Sequence, residues 1–369
     1  MRAAVMTEIR KPWTIKTLPD PKPQPGQVLV RIKASGMCGT DLHVQHGVMA
    51  VPLPMVLGHE PVGTIEEVGA GVAGLRRGDR VGVSWAQRGC GRCRFCQEER
   101  VSYCAEYQSW VQMGGGNSEL MLAWATGCTL VPSGLSDEDA APIFCAGFTV
   151  MSGLRNAAPR PGDTVAVLGV GGLGHLAVQY ARALGLRVIA ITGSADKKEE
   201  ARKLGADEVI VASKDAGQAL LDAGGADVIL GTTNSAAQAT QALRGLRPEG
   251  RMVNMGLVDG AIQVDPLHFL SQQVRLVGSK QNLRRDLVEA LDLAAAGKVK
   301  PRLEVYPLDR INEARDRLEA GKVRYRRSSS SEPAAARPAA YHSKGGSRAR
   351  RGAVALPREV DGGRAAPAR

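Results

Sequence analysis

Four of the seven cysteines in the chain lie close together, in the stretch GCGRCRFCQEERVSYC. Their spacing is C-x2-C-x2-C-x7-C, formed by Cys90, Cys93, Cys96 and Cys104. Four thiolates saturate a tetrahedral zinc ion and leave no position for another ligand. This run therefore predicts a structural zinc site.

A second ligand set is spread along the chain. Cys38 and Cys145 are far apart in sequence, and the tripeptide Gly58-His59-Glu60 lies between them. Two thiolates and one imidazole leave the fourth position of a zinc ion open for water or substrate, as in catalytic sites. A chain with both kinds of zinc site is predicted to be an enzyme.

Other uses of the cysteine run are a disulfide cluster, an iron–sulfur cluster and a zinc knuckle that serves binding alone. The first residues, MRAAVMTEIRKPWTIK, contain no hydrophobic signal segment. We therefore expect a reducing cytoplasm, where disulfides are disfavoured. The spacing also differs from that of ferredoxins. The remaining cysteine, Cys128, is predicted to be a small buried hydrophobic residue.

Composition fits an ordinary enzyme of two domains. The chain has 369 residues, 44% of them hydrophobic, and no apolar run long enough to cross a membrane. The formal net charge of +11 would suit a polyanionic partner. However, residues 328–369 alone hold eight Lys or Arg against three acidic residues. The basicity is therefore a poor indication of nucleic-acid binding, and we expect neither a nucleic-acid nor a membrane partner.

The sequence pattern changes three times. Residues 1–147 contain short strand-like stretches separated by Gly and Pro, whereas 148–278 alternate apolar strands with helix-like stretches. That alternation predicts a doubly wound α/β domain around a parallel sheet. Residues 279–327 begin with two amphipathic helices that end at Gly297 and Gly321. The low-complexity residues 328–369 are predicted to be a disordered tail.

A glycine-rich turn follows the first apolar strand of the α/β region. The turn contains, in order, Gly169, Val170, Gly171, Gly172, Leu173 and Gly174. In a G-x-G-x-x-G motif the first glycine allows the turn and the second lets the backbone approach a pyrophosphate. The third permits close packing of helix on strand. With a strand before it and a helix after it, the motif predicts a dinucleotide site.

The end of the second strand in this region bears on the choice of dinucleotide. An NAD site usually places Asp or Glu about 20 residues after the fingerprint, to bind the ribose hydroxyls. Here the strand RVIAIT ends at Thr192, followed by Gly193 and Ser194 and then by Lys197 and Lys198. Hydroxyls and ammonium groups suit a 2′-phosphate. We therefore expect a preference for NADP, with NAD as the alternative.

Together these residues resemble the medium-chain, zinc-dependent alcohol dehydrogenase family. The matching stretches are CGTDLH from Cys38, GHEPVGTIEEVGAGV, the four-cysteine lobe at 89–105, CAGFT from Cys145 and GVGGLGHLAVQYARALG. The resemblance covers about residues 1–326, and the turn after RVIAIT is most similar to the cinnamyl-alcohol-dehydrogenase branch. It implies a GroES-like, β-rich catalytic domain in two segments, 1–147 and 279–327. A Rossmann domain, 148–278, would lie between them.

The resemblance implies a role for each motif residue. Cys38, His59 and Cys145 would bind the catalytic zinc, so that the chain would hold two Zn²⁺ ions. Glu60 would lie beside the metal as an alternative ligand, and Asp41 would orient the ring of His59.

Other motif residues would act on the substrate and the cofactor. Thr40 would hydrogen-bond the substrate oxygen, His43 would pass its proton to solvent, and Thr149 would contact the nicotinamide. We expect a solvated role for His46 and a packing role for His175, while Trp85 and Trp110 could line a substrate pocket but more often such residues fill the core.

The sequence thus predicts an NADP-preferring, zinc-dependent alcohol/aldehyde oxidoreductase, a cytoplasmic homodimer or homotetramer. One alternative is an NAD-dependent zinc polyol or formaldehyde dehydrogenase, although polyol enzymes often carry Glu where this chain has Cys145. Another is a zinc-lobe nucleic-acid-binding protein. The C-terminus departs from the family: GKVRYR resembles the start of the closing strand of the catalytic domain, but polar residues follow it.

Overall fold

The computed structural model describes residues 1–212 and 215–321 and the backbone of one further strand, Arg326–Ser330. The strands are β1 (Arg2–Met6), β2 (Thr14–Thr17), β3 (Gln27–Met37), β4 (Met55–Val56), β5 (Glu60–Val68), β6 (Arg80–Val83), β7 (Ala86–Arg88), β8 (Gln108–Ser109), β9 (Leu120–Trp124), β10 (Cys128–Leu130), β11 (Thr164–Leu168), β12 (Arg187–Thr192), β13 (Glu208–Val211), β14 (Ala226–Gly231), β15 (Leu246–Asn254), β16 (Arg275–Gly278), β17 (Leu303–Pro307) and β18 (Arg326–Ser330). The helices are α1 (Gly39–Gln45), α2 (Arg94–Gln97), α3 (Trp110–Met113), α4 (Asp137–Ala140), α5 (Ala146–Ala157), α6 (Gly174–Ala183), α7 (Lys198–Lys203), α8 (Ala216–Asp222), α9 (Ala236–Ala242), α10 (Pro266–Gln272), α11 (Arg284–Ala295) and α12 (Ile311–Glu319).

The β-rich part is built around strand β3. Its main sheet has seven strands in the order β10-β6-β5-β3-β18-β17, and β9 also pairs with β3. Smaller sheets, β2-β1-β4 and β7-β8, complete this part. Most residues of β3 are buried, because strands and helices cover both of its faces. The strand therefore gives a fixed support to the residues that follow it.

The α/β part is a six-stranded, wholly parallel sheet in the order β13-β12-β11-β14-β15-β16. Every residue of β11 is buried, as expected for a strand covered by helices on both faces. The chain runs outward from β11 through β12 in one direction and from β14 in the other. Ligands bind at such a reversal, beyond the carboxyl ends of the strands. The predicted Rossmann fold is confirmed, while the domain limits at 147 and 278 stay predictions.

The C-terminal part corrects one boundary. The closing strand begins at Arg326 and includes Ser328, Ser329 and Ser330, which we had assigned to the tail. The strand pairs with β3 on one side and β17 on the other. Backbone hydrogen bonds to the two neighbouring strands keep these polar residues extended. The pattern of apolar and polar side chains gives no indication of this pairing. The rest of the predicted tail lies outside the described residues.

Candidate active site

Three separate chain segments bring the second ligand set together. Cys38 lies between β3 and α1, His59 directly precedes β5, and Cys145 is the residue before α5. All three side chains and that of Glu60 are buried. Their ligand atoms lie within 4.8 Å of one another. The predicted catalytic set is thus one cluster in the fold.

The distances in this cluster fit a tetrahedral zinc ion. Zinc–sulfur bonds of about 2.3 Å place two ligand sulfurs about 3.8 Å apart, and a sulfur and an imidazole nitrogen about 3.6 Å apart. The Sγ atoms of Cys38 and Cys145 are 3.9 Å apart. The Nε2 atom of His59 lies 3.3 Å from the Cys145 Sγ. Two sulfurs and one nitrogen could therefore hold the ion with little movement.

Asp41 contacts two of the candidate ligands. Its Oδ2 accepts a hydrogen bond of 2.8 Å from the backbone N–H of Cys38. Its Oδ1 lies 3.6 Å from the Nδ1 of His59. Complete burial opposes the charged form of the His59 ring, but Asp41 and Cys38 outweigh it and raise the pKa of His59 well above its usual value. When its thiols and carboxyl groups are ionised, the cluster has an excess of negative charge, which a divalent cation would neutralise.

The carboxylate of Glu60 lies on the same side of the ring as the sulfurs. Its Oε1 is 3.8 Å from the Nε2 of His59, and the side chain is completely buried. Gly36 on the neighbouring strand β3 provides the space, because a Cβ atom there would lie 1.9 Å from the Glu60 Oε2. The sequence analysis missed this role of Gly36, which a lone strand glycine does not reveal.

Two tryptophans enclose the His59 ring. The ring centroid of Trp85 is 5.1 Å from that of His59, and the centroid of Trp110 is 5.9 Å from it. Trp110 is fully buried, whereas Trp85 also lines the neighbouring cavity. The two rings limit the orientations open to the imidazole.

The four-cysteine lobe forms a second compact cluster, with its four sulfurs also within 4.8 Å of one another. The Sγ atoms of Cys90 and Cys96 are 4.0 Å apart, close to the spacing in a zinc–thiolate site. Backbone N–H groups of Cys93 and Glu106 donate to the sulfurs of Cys90 and Cys104, each over 3.3 Å. Such N–H···S bonds stabilise thiolates.

The pKa values of two of these thiols are shifted in opposite directions. Backbone N–H groups of Arg92 and Cys93 lower the pKa of Cys90 to about 6. Desolvation raises the pKa of Cys96 to about 12. Four thiolates so close together repel one another, and a metal ion removes that repulsion.

A cavity of about 930 Å³ reaches the catalytic cluster. Thr40, Cys145 and Thr149 line it beside the apolar side chains of Trp85 and Phe148. The Thr40 hydroxyl lies 3.8 Å from the Cys38 sulfur. A substrate in the cavity can therefore reach the open side of the metal cluster and the first turn of α5.

The glycine-rich turn connects β11 to α6 at the reversal of strand order. Gly169 has a φ of 95°, a conformation that favours glycine. A Cβ atom on Gly174 would lie 1.9 Å from the Gly169 carbonyl oxygen, whereas one on Gly171 would meet no atom within 4 Å. The third glycine thus allows close packing, and the second faces open space where a pyrophosphate can approach.

The turn after β12 lies beside the glycine-rich turn, since β11 and β12 are paired neighbours. Thr192 is buried, and its hydroxyl accepts a hydrogen bond of 3.3 Å from the Ser194 N–H. Asp196 lies in the same turn, and the hydroxyl of Ser194 donates to it. Asp196 is visible in the sequence, four residues after Thr192, at which β12 ends.

Two predicted histidine roles can be compared with the structure. His43 is half-buried on α1, one turn after Thr40. His175 is fully buried, its Nδ1 lying 3.1 Å from the Gly171 carbonyl oxygen and its Nε2 accepting from the Arg302 N–H. The packing role expected for His175 thus includes support of the glycine-rich turn.

One polar contact at Cys145 gave no sequence signal. The Gln281 side chain donates to the carbonyl oxygens of Phe144, over 3.1 Å, and Cys145, over 3.5 Å. Gln281 follows β16 and also lines the cavity. These hydrogen bonds connect the segment after β16 to the start of α5.

Comparison with known proteins agrees with this arrangement. Residues 24–133 match the family model described as alcohol dehydrogenase GroES-like domain, and residues 172–296 match that of zinc-binding dehydrogenase. An alcohol dehydrogenase of Geobacillus stearothermophilus is 42% identical over 328 residues, covering 88% of this chain and 97% of that protein. The chain belongs to the zinc-dependent alcohol dehydrogenase family.

Solved structures show the same fold. A cinnamyl alcohol dehydrogenase from Sorghum bicolor superposes with a TM-score of 0.82 at 30% identity, covering 89% of this chain and 97% of that one. An acetophenone reductase from Geotrichum candidum, solved with NAD, gives 0.81 at 29% identity, covering 89% and 96%. The GroES-like and Rossmann assignments are confirmed, and the chain is an oxidoreductase with alcohol dehydrogenase activity. Among the described residues, no helix is long and apolar enough to cross a membrane.

Proposed function

We propose that the enzyme transfers hydride between a primary or secondary alcohol and NADP, and in reverse from NADPH to an aldehyde or ketone. The proposal rests on one cavity, which is lined by Cys145 of the metal cluster and by Thr40 and Thr149. A substrate oxygen near the cluster and a nicotinamide against the first turn of α5 would then meet in one space. Such positioning contributes much of the rate enhancement in enzymes.

Cys38, His59 and Cys145 would hold the catalytic zinc, and the four-cysteine lobe a second, structural ion. A bound zinc ion lowers the pKa of an alcohol or polarises a carbonyl group. Asp41 positions two of the ligands, the Cys38 backbone and the His59 ring. Glu60 supplies a further carboxylate beside the ring, as an alternative ligand.

The proton of the alcohol needs a path to solvent. Thr40 lines the cavity, and its hydroxyl can accept that proton while donating its own. His43 lies three residues further along α1 and thus on the same face of the helix. Because it is half-buried, it can pass the proton from the cavity side to water.

The dinucleotide would lie across the carboxyl edge of β11 and β12, with its pyrophosphate on the turn formed by Gly169, Gly171, Gly172, Leu173 and Gly174. Thr149 would contact the nicotinamide ring. At the other end, Thr192, Gly193 and Ser194 would accept the 2′-phosphate of NADP. In the described part of the chain neither Lys197 nor Lys198 has a carboxylate within 4.0 Å, so both ammonium groups can serve a phosphate.

Asp196 favours the second candidate, NAD, because a carboxylate at this turn can accept the ribose hydroxyls and repel a phosphate. Its contact with Ser194 directs the carboxylate to a neighbouring side chain, and the two lysines stay available for a phosphate. We therefore retain NADP as the preferred cofactor.

We also propose a cytoplasmic homodimer or homotetramer. The seven cysteines are free thiols, which suits a reducing compartment. Leu257, Leu267 and Leu270 are each more than half exposed, near the edge strand β16. Apolar side chains at a sheet edge favour contact with a second subunit. Light scattering after size-exclusion chromatography would measure the subunit number.

A panel of alcohols and aldehydes assayed with both cofactors tests the enzymatic proposal. We expect alcohol-dependent formation of NADPH in the wild type, faster than formation of NADH. The matched pair is Cys38→Ser, which removes a ligand, and Cys128→Ser, which changes a buried cysteine outside both clusters. Only the first should abolish turnover. Equal loss in both variants, or no turnover with any alcohol, would contradict the proposal.

A further inference from the structure

A second pocket of about 640 Å³ opens beside the catalytic cavity. It lies between the four-cysteine lobe and the segment that joins β16 to α11. We define the basic pocket by the residues that matter for its chemistry: Arg100, Ser102, Tyr103, Lys280, Asn282 and Arg285. Ser102, Lys280 and Asn282 line the catalytic cavity as well. The two spaces are therefore adjacent.

The lining of the basic pocket has more cationic than acidic side chains. Four cationic side chains line it, and Asp286 is its one acidic residue among those described. Asp286 is completely buried and bound to Arg155 and Ser152. Arg155 is also paired with Glu289, and Arg100 with Glu98 over 3.1 Å, so two of the four cations have carboxylate partners. Neither Lys280 nor Arg285 has a carboxylate within 4.0 Å in the described ranges.

Two of the cations share one aromatic ring. The Nζ of Lys280 lies 4.5 Å from the ring centroid of Tyr103, and the Cζ of Arg100 lies 5.0 Å from it. Both cations thus contact the same ring. Lys280 has no carboxylate partner among the described residues, and Ser102 and Asn282 offer hydrogen-bond donors in the same lining. These are the groups that bind a carboxylate or a phosphate.

The catalytic cavity, which reaches the metal cluster, is lined mostly by apolar surface. Its apolar side chains include Trp85, Phe148, Val101 and Leu287. A ligand that fills both spaces must therefore combine a reacting oxygen at one end, an apolar middle and a negative charge at the other end.

We propose that the basic pocket binds the distal carboxylate of the substrate, so that the enzyme prefers alcohols and aldehydes with a negative charge at the end remote from the reacting carbon. This substrate class rests on the proposed function. The cations would hold the far end and thereby place the alcohol carbon before the nicotinamide.

The test compares two series of equal chain length at saturating NADP: ω-hydroxy acids, from hydroxybutyrate to hydroxydodecanoate, and the corresponding n-alcohols. At one optimal length, kcat/KM for the acid should exceed that for the alcohol by about tenfold, the size of one charge-assisted contact. Added salt should reduce this advantage.

Variants locate the effect. Arg285→Gln and Lys280→Gln should each reduce the acid-to-alcohol ratio of kcat/KM towards one. Arg77→Gln is the matched control, because it removes an exposed arginine from the turn between β5 and β6, outside both spaces. It should keep the wild-type ratio. Measuring a ratio within each variant separates the pocket's effect from any loss of folded enzyme.

The outcomes separate the two proposals. If n-alcohols are oxidised but no acid gains at any length, the anionic substrate class is overturned and the alcohol oxidoreductase stands. Inorganic phosphate should compete with the acids. If phosphate competes with n-alcohols while acids gain nothing, the pocket serves a free anion, and the substrate proposal is wrong. If neither series reacts with either cofactor, the proposed function itself fails.

Discussion

Replacing Gly36 by alanine tests whether the Glu60 carboxylate is part of the site. Gly36 is paired with Glu60 across β3 and β5, two residues before the candidate ligand Cys38. The added Cβ would lie 1.9 Å from the Oε2, 2.8 Å from the Cδ and 2.9 Å from the Cβ of Glu60. The last distance cannot be relieved by rotating the Glu60 side chain, so the backbones must separate.

Two opposing effects determine how much Gly36→Ala changes the free energy of unfolding. Alanine in a strand interior is more stable than glycine by about 0.5–1 kcal/mol. Overpacking a buried site costs about 1–3 kcal/mol, and the complete burial of Glu60 leaves it no open space. Overpacking should prevail, with a net loss of about 1–2 kcal/mol. Because Glu60 adjoins His59, zinc affinity or turnover should also fall, by about 10–100-fold.

Thermal unfolding, zinc analysis and kcat/KM measure the two effects. Gly39→Ala is the stability control on the other side of Cys38, because a Cβ there meets no atom within 4 Å. Its melting temperature should be unchanged or higher. In a Glu60→Ala background, Gly36→Ala should cost less, since the two shortest contacts are gone. If Gly36→Ala is as stable and active as the wild type, the carboxylate does not occupy this space.

The remaining predictions concern metal, cofactor and chain end. Cys93→Ser should lose one of two zinc ions per chain and lower the melting temperature, because a structural metal contributes folding free energy; unchanged zinc content and melting temperature would exclude the structural role. Thr192→Asp should shift the NADPH-to-NADH ratio of kcat/KM towards NADH by about tenfold or more, the size of one charge-assisted contact; an unchanged ratio would place the phosphate site elsewhere. Ending the chain after Ser330 should preserve stability better than ending it after Arg327, since the shorter chain loses pairs to Ser35 and Gly36; equal melting temperatures would show that the closing strand contributes little.

The fold was predictable wherever the side-chain pattern is regular over a whole element. RVIAIT was predicted as a strand and is strand β12 with the same limits. Helix α8, Ala216–Asp222, was not predicted, because its short run AGQALLD is rich in small residues and has little apolar periodicity. The closing strand extends further towards the C-terminus than predicted. Backbone pairing with β3 and β17, rather than burial of apolar side chains, defines it.

Metal-binding residues and glycine-rich turns form recognisable sequence motifs, and these motifs predicted the candidate site. Contacts to backbone atoms, and space left by a missing side chain, produce no such motif. Gln281 binds carbonyl oxygens, and Gly36 acts by the absence of a side chain, so neither has a recognisable spacing. Asp196 is different: its position was visible, and its contact with Ser194 depends on a local turn that the strand pattern did not specify.

The contacts of α5 explain how the two parts of the chain share one site. At its start, the Cys145 sulfur lies in the metal cluster while the Cys145 carbonyl accepts from Gln281. Two turns further, Ser152 accepts from the Asn282 N–H over 3.1 Å and donates to the buried Asp286 over 2.8 Å. The segment after β16 is therefore bound to α5 at two points. A movement of that segment must shift the first turn of α5, so the metal ligand and the cavity wall respond together.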